Sequence, residues 1–153
     1  MHKEDWSDPE YCMMMVKENG HCLKMIENQT SELCLAAVNN TPWALEYVKE
    51  QTEEICLTAV KKNSWLLMYI KKQTEEICSI AIADNLQILE YIQDQTLEIC
   101  TIALKNHGPI ALNKMRHRTP EIYLIAVQLD KDAIKWVPKA YTEIYEYWGL
   151  LYA

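Results

Sequence analysis

The sequence repeats itself with a period of 22 residues along nearly its whole length. The clearest copy reads QTEEICLTAVKKNSWLLMYIKKQ, from Gln51 to Gln73. Repeated units of this kind stack on their neighbours, so the period constrains the fold more than any other feature. We divide the chain, as a single domain, into an N-terminal cap, six repeats and a C-terminal capping half-repeat. Their ranges are 1–7, 8–29, 30–51, 52–73, 74–95, 96–118, 119–140 and 141–153.

Each repeat carries two groups of apolar residues with helical spacing. With the first residue of a repeat counted as offset 0, the groups lie at offsets 3, 4, 7 and 8 and at offsets 14, 15, 17 and 18. Apolar residues three and four apart line one face of an α-helix. Helices this short are stable only when they pack on neighbours. The pattern predicts an all-α fold, an α-solenoid of stacked short antiparallel helical hairpins with about six and a half repeats.

Residues that favour helix starts precede both groups. Threonine, asparagine and aspartate accept hydrogen bonds from the free amides of a first turn, and proline is tolerated just after them. The predicted N-caps of the first helices are Asp8, Thr30, Thr52, Thr74, Thr96 and Thr119. Those of the second helices are Asn19, Thr41, Asn63, Asn85, Asp130 and, beside the one-residue insertion of the fifth repeat, Gly108. Each predicted cap at Asp8, Thr41, Gly108 and Thr119 is followed directly by a proline.

A leucine-rich repeat is the alternative fold, because its period also allows 22 residues. It requires a short strand in each unit, and residues 80–83, Ile-Ala-Ile-Ala, have a composition that a strand would accept. The caps and prolines favour helices.

Five of the six cysteines occupy offset 4, namely Cys12, Cys34, Cys56, Cys78 and Cys100. Stacked helices lie about 8–10 Å apart, whereas a disulfide needs Cα atoms within roughly 7 Å. We therefore expect reduced thiols that pack as small apolar residues, in an intracellular, reducing compartment. The closely paired cysteines and downstream histidines of a zinc site are absent from the sequence, so no metal site is predicted.

The charge balance bears on the class of partner. The formal net charge is −7, and phosphate binding requires clustered lysine and arginine, so neither nucleic acid nor an anionic membrane surface is the expected partner. The sequence also contains no apolar run long enough to span a bilayer.

Catalytic patterns are missing from the sequence. Paired carboxylates, a nucleophile beside a base and a phosphate-cradling glycine loop are the usual signals, and none occurs. We predict a protein that is not an enzyme, with no catalytic residue and no cofactor.

Aromatic residues recur in the second helices. Tyr47, Tyr69 and Tyr91 share offset 17, and Trp43 and Trp65 share offset 13. Offset 17 belongs to the apolar stripe, so packing is the preferred role of the tyrosines. Other repeats have glutamine or aspartate at offset 13, which a core position rarely accepts. Trp43 and Trp65 are therefore the candidate partner-binding residues.

The fifth repeat ends in a basic cluster within an acidic chain. Lys114, Arg116 and Arg118 are a candidate docking patch for an acidic protein partner, and solvated charges at a helix end are the alternative.

The first and last units have unusual apolar clusters. In the first helix, Met13, Met14 and Met15 either fill the packing of an end unit, which we prefer, or form an adaptable binding face. At the other end, the candidate self-association residues are Tyr147, Trp148, Leu150, Leu151 and Tyr152. Terminal repeats need a polar outer face, so this end either folds back as a lid or forms a homodimer.

The phrases QTSELCLAAVNN, QTEEICLTAVKKN and QTEEICSIAIADN resemble the short helical repeats of a family of unknown function found in giant DNA viruses of amoebae. The resemblance covers residues 8–95 and weakens after them, where Tyr123 and Tyr145 replace the cysteine. It implies an α-solenoid made inside an infected cell, in the host cytoplasm or the virion, with no known activity or cofactor to carry over.

Two functions remain open at this point. The first is a non-enzymatic protein–protein interaction module that binds an unidentified protein through its aromatic residues. The alternative is a structural subunit that assembles with itself through its terminal apolar faces.

Overall fold

A computed structural model describes residues 5–147 and Gly149. Their regular structure is entirely helical, and none of these residues lies in a β-strand. The all-α prediction is therefore confirmed, and residues 80–83 are part of an α-helix. The α-helices are α1 (Pro9–Glu18), α2 (Ser31–Asn40), α3 (Glu53–Lys62), α4 (Glu75–Asp84), α5 (Leu97–His107), α6 (Pro120–Leu129) and α7 (Lys139–Tyr147). The 3₁₀ helices are η1 (Gly20–Met25), η2 (Pro42–Tyr47), η3 (Ser64–Tyr69), η4 (Leu86–Tyr91), η5 (Gly108–Lys114) and η6 (Lys131–Trp136).

The N-caps of the α-helices lie where the sequence predicts them. The Asp8 carboxylate accepts from the Glu10 amide at 3.0 Å, and the Thr52 hydroxyl accepts from the Ile55 amide at 3.4 Å. Thr30, Thr74, Thr96 and Thr119 accept in the same way from the amide three residues later. Each bond satisfies an amide that the helix itself leaves without a partner.

The second helix of each repeat is a 3₁₀ helix rather than an α-helix. A 3₁₀ helix rises about 2.0 Å per residue, so six residues span about 12 Å, which is more than six α-helical residues would span. The 3₁₀ helix therefore comes closer in length to the ten-residue α-helix beside it. Offsets 14 and 15 and the C-cap residue at offset 18 form the buried face, as Ala44, Leu45 and Val48 show. Offset 17 leaves that face, so Tyr69 and Tyr91 are exposed. The prediction that this offset belongs to the buried stripe is wrong.

The insertion in the fifth repeat extends an α-helix. α5 has 11 residues and ends at His107, which is the N-cap residue of η5. Gly108 is the first residue of η5 and has a φ of 71°, a conformation that favours glycine. The prediction that Gly108 is the cap is therefore wrong, because the extra residue moves the helix boundary.

The last described helix begins earlier than the half-repeat at 141 predicts. Pro138 directly precedes α7, and its carbonyl accepts from the amides of Tyr141 and Thr142. Proline favours a helix start, so the residues that would form a linker in other repeats are helical here.

The chain divides into two compact units, with the boundary between Ala81 and Ile82, inside α4. In the first unit, consecutive α-helices from α1 to α3 contact each other, and so do η1, η2 and η3 in order. α2 also contacts η1, and α3 contacts η2. The second unit follows the same rule, because α5 contacts η4 and α6 contacts η5. Within each unit, an α-helix thus rests on the 3₁₀ helix of its own repeat and on that of the repeat before.

The predicted cysteine ladder is buried. The cysteines at offset 4, from Cys12 to Cys100, are at most 3% exposed, and Tyr123 is also buried at this offset. None of the six cysteines, all of which lie within the described residues, forms a disulfide. Burial raises the pKa of the Cys34 and Cys100 thiols above the ordinary value, so these side chains stay protonated at neutral pH and pack as apolar groups.

Candidate functional site

Five aromatic side chains lie on η1, η2 and η3 in the first unit, and we call them the aromatic row. They are His21, Trp43, Tyr47, Trp65 and Tyr69. Trp43 is 41% exposed and Trp65 is 36% exposed. Both predicted contact residues therefore present part of an indole ring to solvent on consecutive 3₁₀ helices.

Rings of the aromatic row pack edge to face between repeats. His21 meets Tyr47 of the next repeat with ring centroids 5.8 Å apart and planes at 80°. Trp43 meets Tyr69 of the next repeat at 5.8 Å and 85°. This geometry places the positive edge of one ring against the negative face of the other. Tyr47 and Tyr69 thus do pack between repeats, as predicted, but against the offset-13 rings His21 and Trp43 rather than in the core.

A polar side chain holds these 3₁₀ helices in register. The Gln29 amide nitrogen donates to Leu23 O in its own repeat at 3.2 Å and to Tyr47 O in the next at 2.9 Å. Its oxygen accepts from the Lys49 amide at 3.0 Å and from the Cys34 thiol. We call this arrangement the glutamine bridge.

The glutamine bridge recurs in other repeats. Gln51 donates to Tyr69 O at 2.9 Å and accepts from the Lys71 amide at 3.0 Å. In the second unit, Gln95 accepts from the Arg116 amide at 2.9 Å. Sequence reasoning missed this role, although glutamine occupies offset 21 in each of the first four repeats. The signal was a polar residue at a fixed offset next to a helix start.

Lysine side chains add a second contact between repeats of the first unit. Lys49 Nζ donates to Glu27 O at 2.7 Å, and Lys71 Nζ donates to Lys49 O at 3.2 Å. Each lysine therefore neutralises a carbonyl at the end of the preceding repeat, where the partial negative charge of the backbone favours a cation.

The predicted basic patch has mostly intramolecular contacts. Lys114 Nζ lies 2.7 Å from a carboxylate oxygen of Glu90. The Arg116 guanidinium donates to the carbonyls of Ile92 and Gln93. Arg118 is exposed, at the position where earlier repeats have the bridging glutamine. The structure thus gives Lys114 and Arg116 a role between repeats and leaves Arg118 as the cation at the surface.

The predicted self-association residues cannot be placed. Trp148, Leu150, Leu151 and Tyr152 lie outside the described residues, and Tyr147 is described only as the end of α7.

Within residues 5–147 and Gly149, no three His, Cys, Asp or Glu side chains are grouped so that they could hold a metal ion. Over the same residues, no helix combines the length and apolar character needed to cross a membrane.

No protein-family model, no curated protein and no solved structure matches this chain.

Proposed function

We propose that the chain is a non-enzymatic protein-binding module, built as an α-solenoid of 22-residue repeats, and that the aromatic row binds a protein partner. The observation that carries this proposal is the partial exposure of Trp43 and Trp65 on consecutive 3₁₀ helices. Tryptophan and tyrosine contribute more binding energy per residue than most side chains.

The contacts around the aromatic row support this function because they limit its motion. The edge-to-face pairing orients the Trp43 ring before any partner arrives. The glutamine bridges bind the backbone carbonyls of Tyr47 and Tyr69, and so they fix the backbone that carries these two rings of the aromatic row. A surface that is ordered in advance loses less conformational entropy on binding.

The free thiols support an intracellular, reducing location, as for the giant-virus repeats that the sequence resembles. We include that origin in the proposal, with the host cytoplasm or the virion as the place of action.

Substitution of both tryptophans tests the aromatic row. Wild type, a Trp43→Ala/Trp65→Ala variant and a Leu97→Ala/Leu129→Ala variant are used as bait in infected-cell lysate, and captured proteins are quantified by mass spectrometry. Leu97 and Leu129 are exposed apolar residues on α5 and α6, so the second variant controls for loss of apolar surface. We expect at least one protein to be captured by wild type and the leucine variant and lost, by about tenfold or more, from the tryptophan variant.

An unchanged capture profile for the tryptophan variant would contradict the proposal, provided that its circular dichroism spectrum shows an intact fold. Self-assembly through the chain ends would instead appear in light scattering as an oligomer that is unaffected by the tryptophan substitutions.

A further inference from the structure

A second surface of the first unit lies on its α-helices, away from the 3₁₀ helices that carry the aromatic row. Between α1 and α2 is an open groove with a volume of about 530 Å³. We call it the α1 groove. Its lining residues are Pro9, Glu10, Met13, Met14, Lys17, Thr30, Glu32 and Leu33.

Two methionines give the α1 groove its apolar surface. Met14 is 56% exposed, Met13 is half-buried, and the buried Leu33 of α2 lies beneath them. At the same two offsets α2 has Leu35 and Ala36, so α1 differs from its neighbour in having long, flexible side chains there. Methionine adapts to varied apolar partners because it is unbranched and polarizable. Met14 therefore presents much of its side chain to solvent, whereas Met13 and Met15 are half-buried in the end unit.

The charged residues at the rim differ between the two ends of the α1 groove. Glu10 and Glu32 are exposed first-turn residues of α1 and α2 and lie at one end. Lys17 lies in the last turn of α1, at the other end. The acidic end attracts cations, whereas the opposite end disfavours them.

We propose that the α1 groove binds a segment of a partner protein that has apolar side chains followed at one end by lysine or arginine. The apolar side chains would contact Met13 and Met14, and the cations would pair with Glu10 and Glu32. An amphipathic helix lying in an apolar groove is a common mode of peptide recognition. The acidic rim disfavours a nucleic-acid backbone or an anionic lipid surface at this place.

A designed peptide pair tests this inference. The probe is a fluorescein-labelled leucine-rich peptide with lysines at one end, and its counterpart carries glutamate in place of every lysine. Binding is measured by fluorescence anisotropy at low and at physiological salt. We expect the lysine peptide to bind, to bind more weakly as salt rises, and to bind at least about tenfold more tightly than the glutamate peptide.

Matched variants locate the binding site. Glu10→Gln/Glu32→Gln should weaken binding of the lysine peptide by roughly tenfold and reduce its salt dependence, because two ion pairs with the peptide are lost. Met14→Gln should weaken it by roughly tenfold through lost apolar contact. The controls are Glu54→Gln, at the same offset as Glu10 but on α3, and Met68→Gln, an exposed methionine on η3. Both should retain the wild-type affinity, and so should the Trp43→Ala/Trp65→Ala variant, because this groove is independent of the aromatic row.

Three results would overturn the inference. The first is that the lysine and glutamate peptides bind equally tightly. The second is that Glu54→Gln weakens binding as much as the groove variants do. The third is that no binding is detected at a millimolar concentration of peptide. Thermal melts of each variant exclude unfolding as the cause.

Discussion

At the junctions that follow the second and the fifth repeat, residues at equivalent positions differ in identity and in the hydrogen bonds they can make. After the second repeat, Gln51 donates to Tyr69 O and accepts from the Lys71 amide. After the fifth, Arg118 replaces the glutamine, and the residue at the position of Lys71 is Pro138. Proline has no amide hydrogen to donate. At the fifth junction, therefore, both the glutamine and the amide from which its oxygen accepts are replaced.

This difference shows what the glutamine bridge requires. In the described bridges its oxygen accepts from the amide of Lys49, Lys71 or Arg116, each of which lies between a 3₁₀ helix and the next α-helix. After η6, the early start of α7 shortens this linker to Val137 and Pro138. A glutamine at 118 would then leave its oxygen to water, and an exposed arginine is the more soluble choice.

The closest approach between repeats in the first unit gives the prediction with the largest effect. Gly20 donates its amide to the Thr41 hydroxyl, and a Cβ at Gly20 would lie 2.3 Å from Ala37 O and 2.7 Å from Thr41 Cβ. Gly20→Ala should therefore push the first two repeats apart and lower the free energy of unfolding by about 2–4 kcal/mol, measured by urea denaturation.

Ser64→Ala is the matched control for Gly20→Ala, because Ser64 is buried at the same offset of the third repeat and already has a Cβ. We expect it to cost less than about 1 kcal/mol. If Gly20→Ala unfolds at the same urea concentration as wild type, the two repeats are not in the close contact described.

The glutamine bridge gives the next largest effect. Gln51→Met keeps the length of the side chain but leaves Tyr69 O and the Lys71 amide without their partner. We expect a loss of about 0.5–1.5 kcal/mol in the free energy of unfolding, because both bonds are exposed and water can replace the glutamine as a partner. Gln128→Met, at an exposed position on α6, is the control and should change stability by less than about 0.5 kcal/mol. Equal effects of the two substitutions would show that the bridge contributes nothing specific.

Much of the fold follows from local rules and was predictable. Thr52 caps α3 because a threonine hydroxyl satisfies an amide wherever a helix begins. Cys56 is buried because its offset lies on the apolar face of a regular α-helix. These features depend on residues within one turn of each other, and periodicity shows them directly.

The candidate site was only partly predictable. The partial exposure of Trp43 and Trp65 at offset 13 was visible in the sequence, since other repeats tolerate polar residues there. The exposure of Tyr69 was not, because its offset is apolar in the sequence, and only the packing of its ring against Trp43 of the preceding repeat places it at the surface. The glutamine bridge spans about 20 positions and depends on backbone groups, which leave no trace in side-chain hydropathy.

The substitution with the smallest predicted effect tests the comparison between the second and fifth junctions most directly. Arg118→Gln restores the bridging residue of the earlier repeats without restoring its amide donor, which Pro138 lacks. The new side chain can gain at most one neutral hydrogen bond, to a carbonyl of the sixth repeat, worth about 0.5–1.5 kcal/mol. Ordering a glutamine side chain costs up to about 2 kcal/mol, so the gain is largely cancelled.

We therefore expect Arg118→Gln to change the free energy of unfolding by less than about 0.5 kcal/mol, measured by urea denaturation beside Gln51→Met. A stabilisation above about 1 kcal/mol would mean that a glutamine alone makes the bridge, and that Pro138 does not explain its absence. A small change, together with the expected loss in Gln51→Met, means that the amide of the next repeat determines where a bridge forms. The sequence signal for a bridge is then a glutamine at offset 21 followed by any residue except proline at offset 19 of the next repeat.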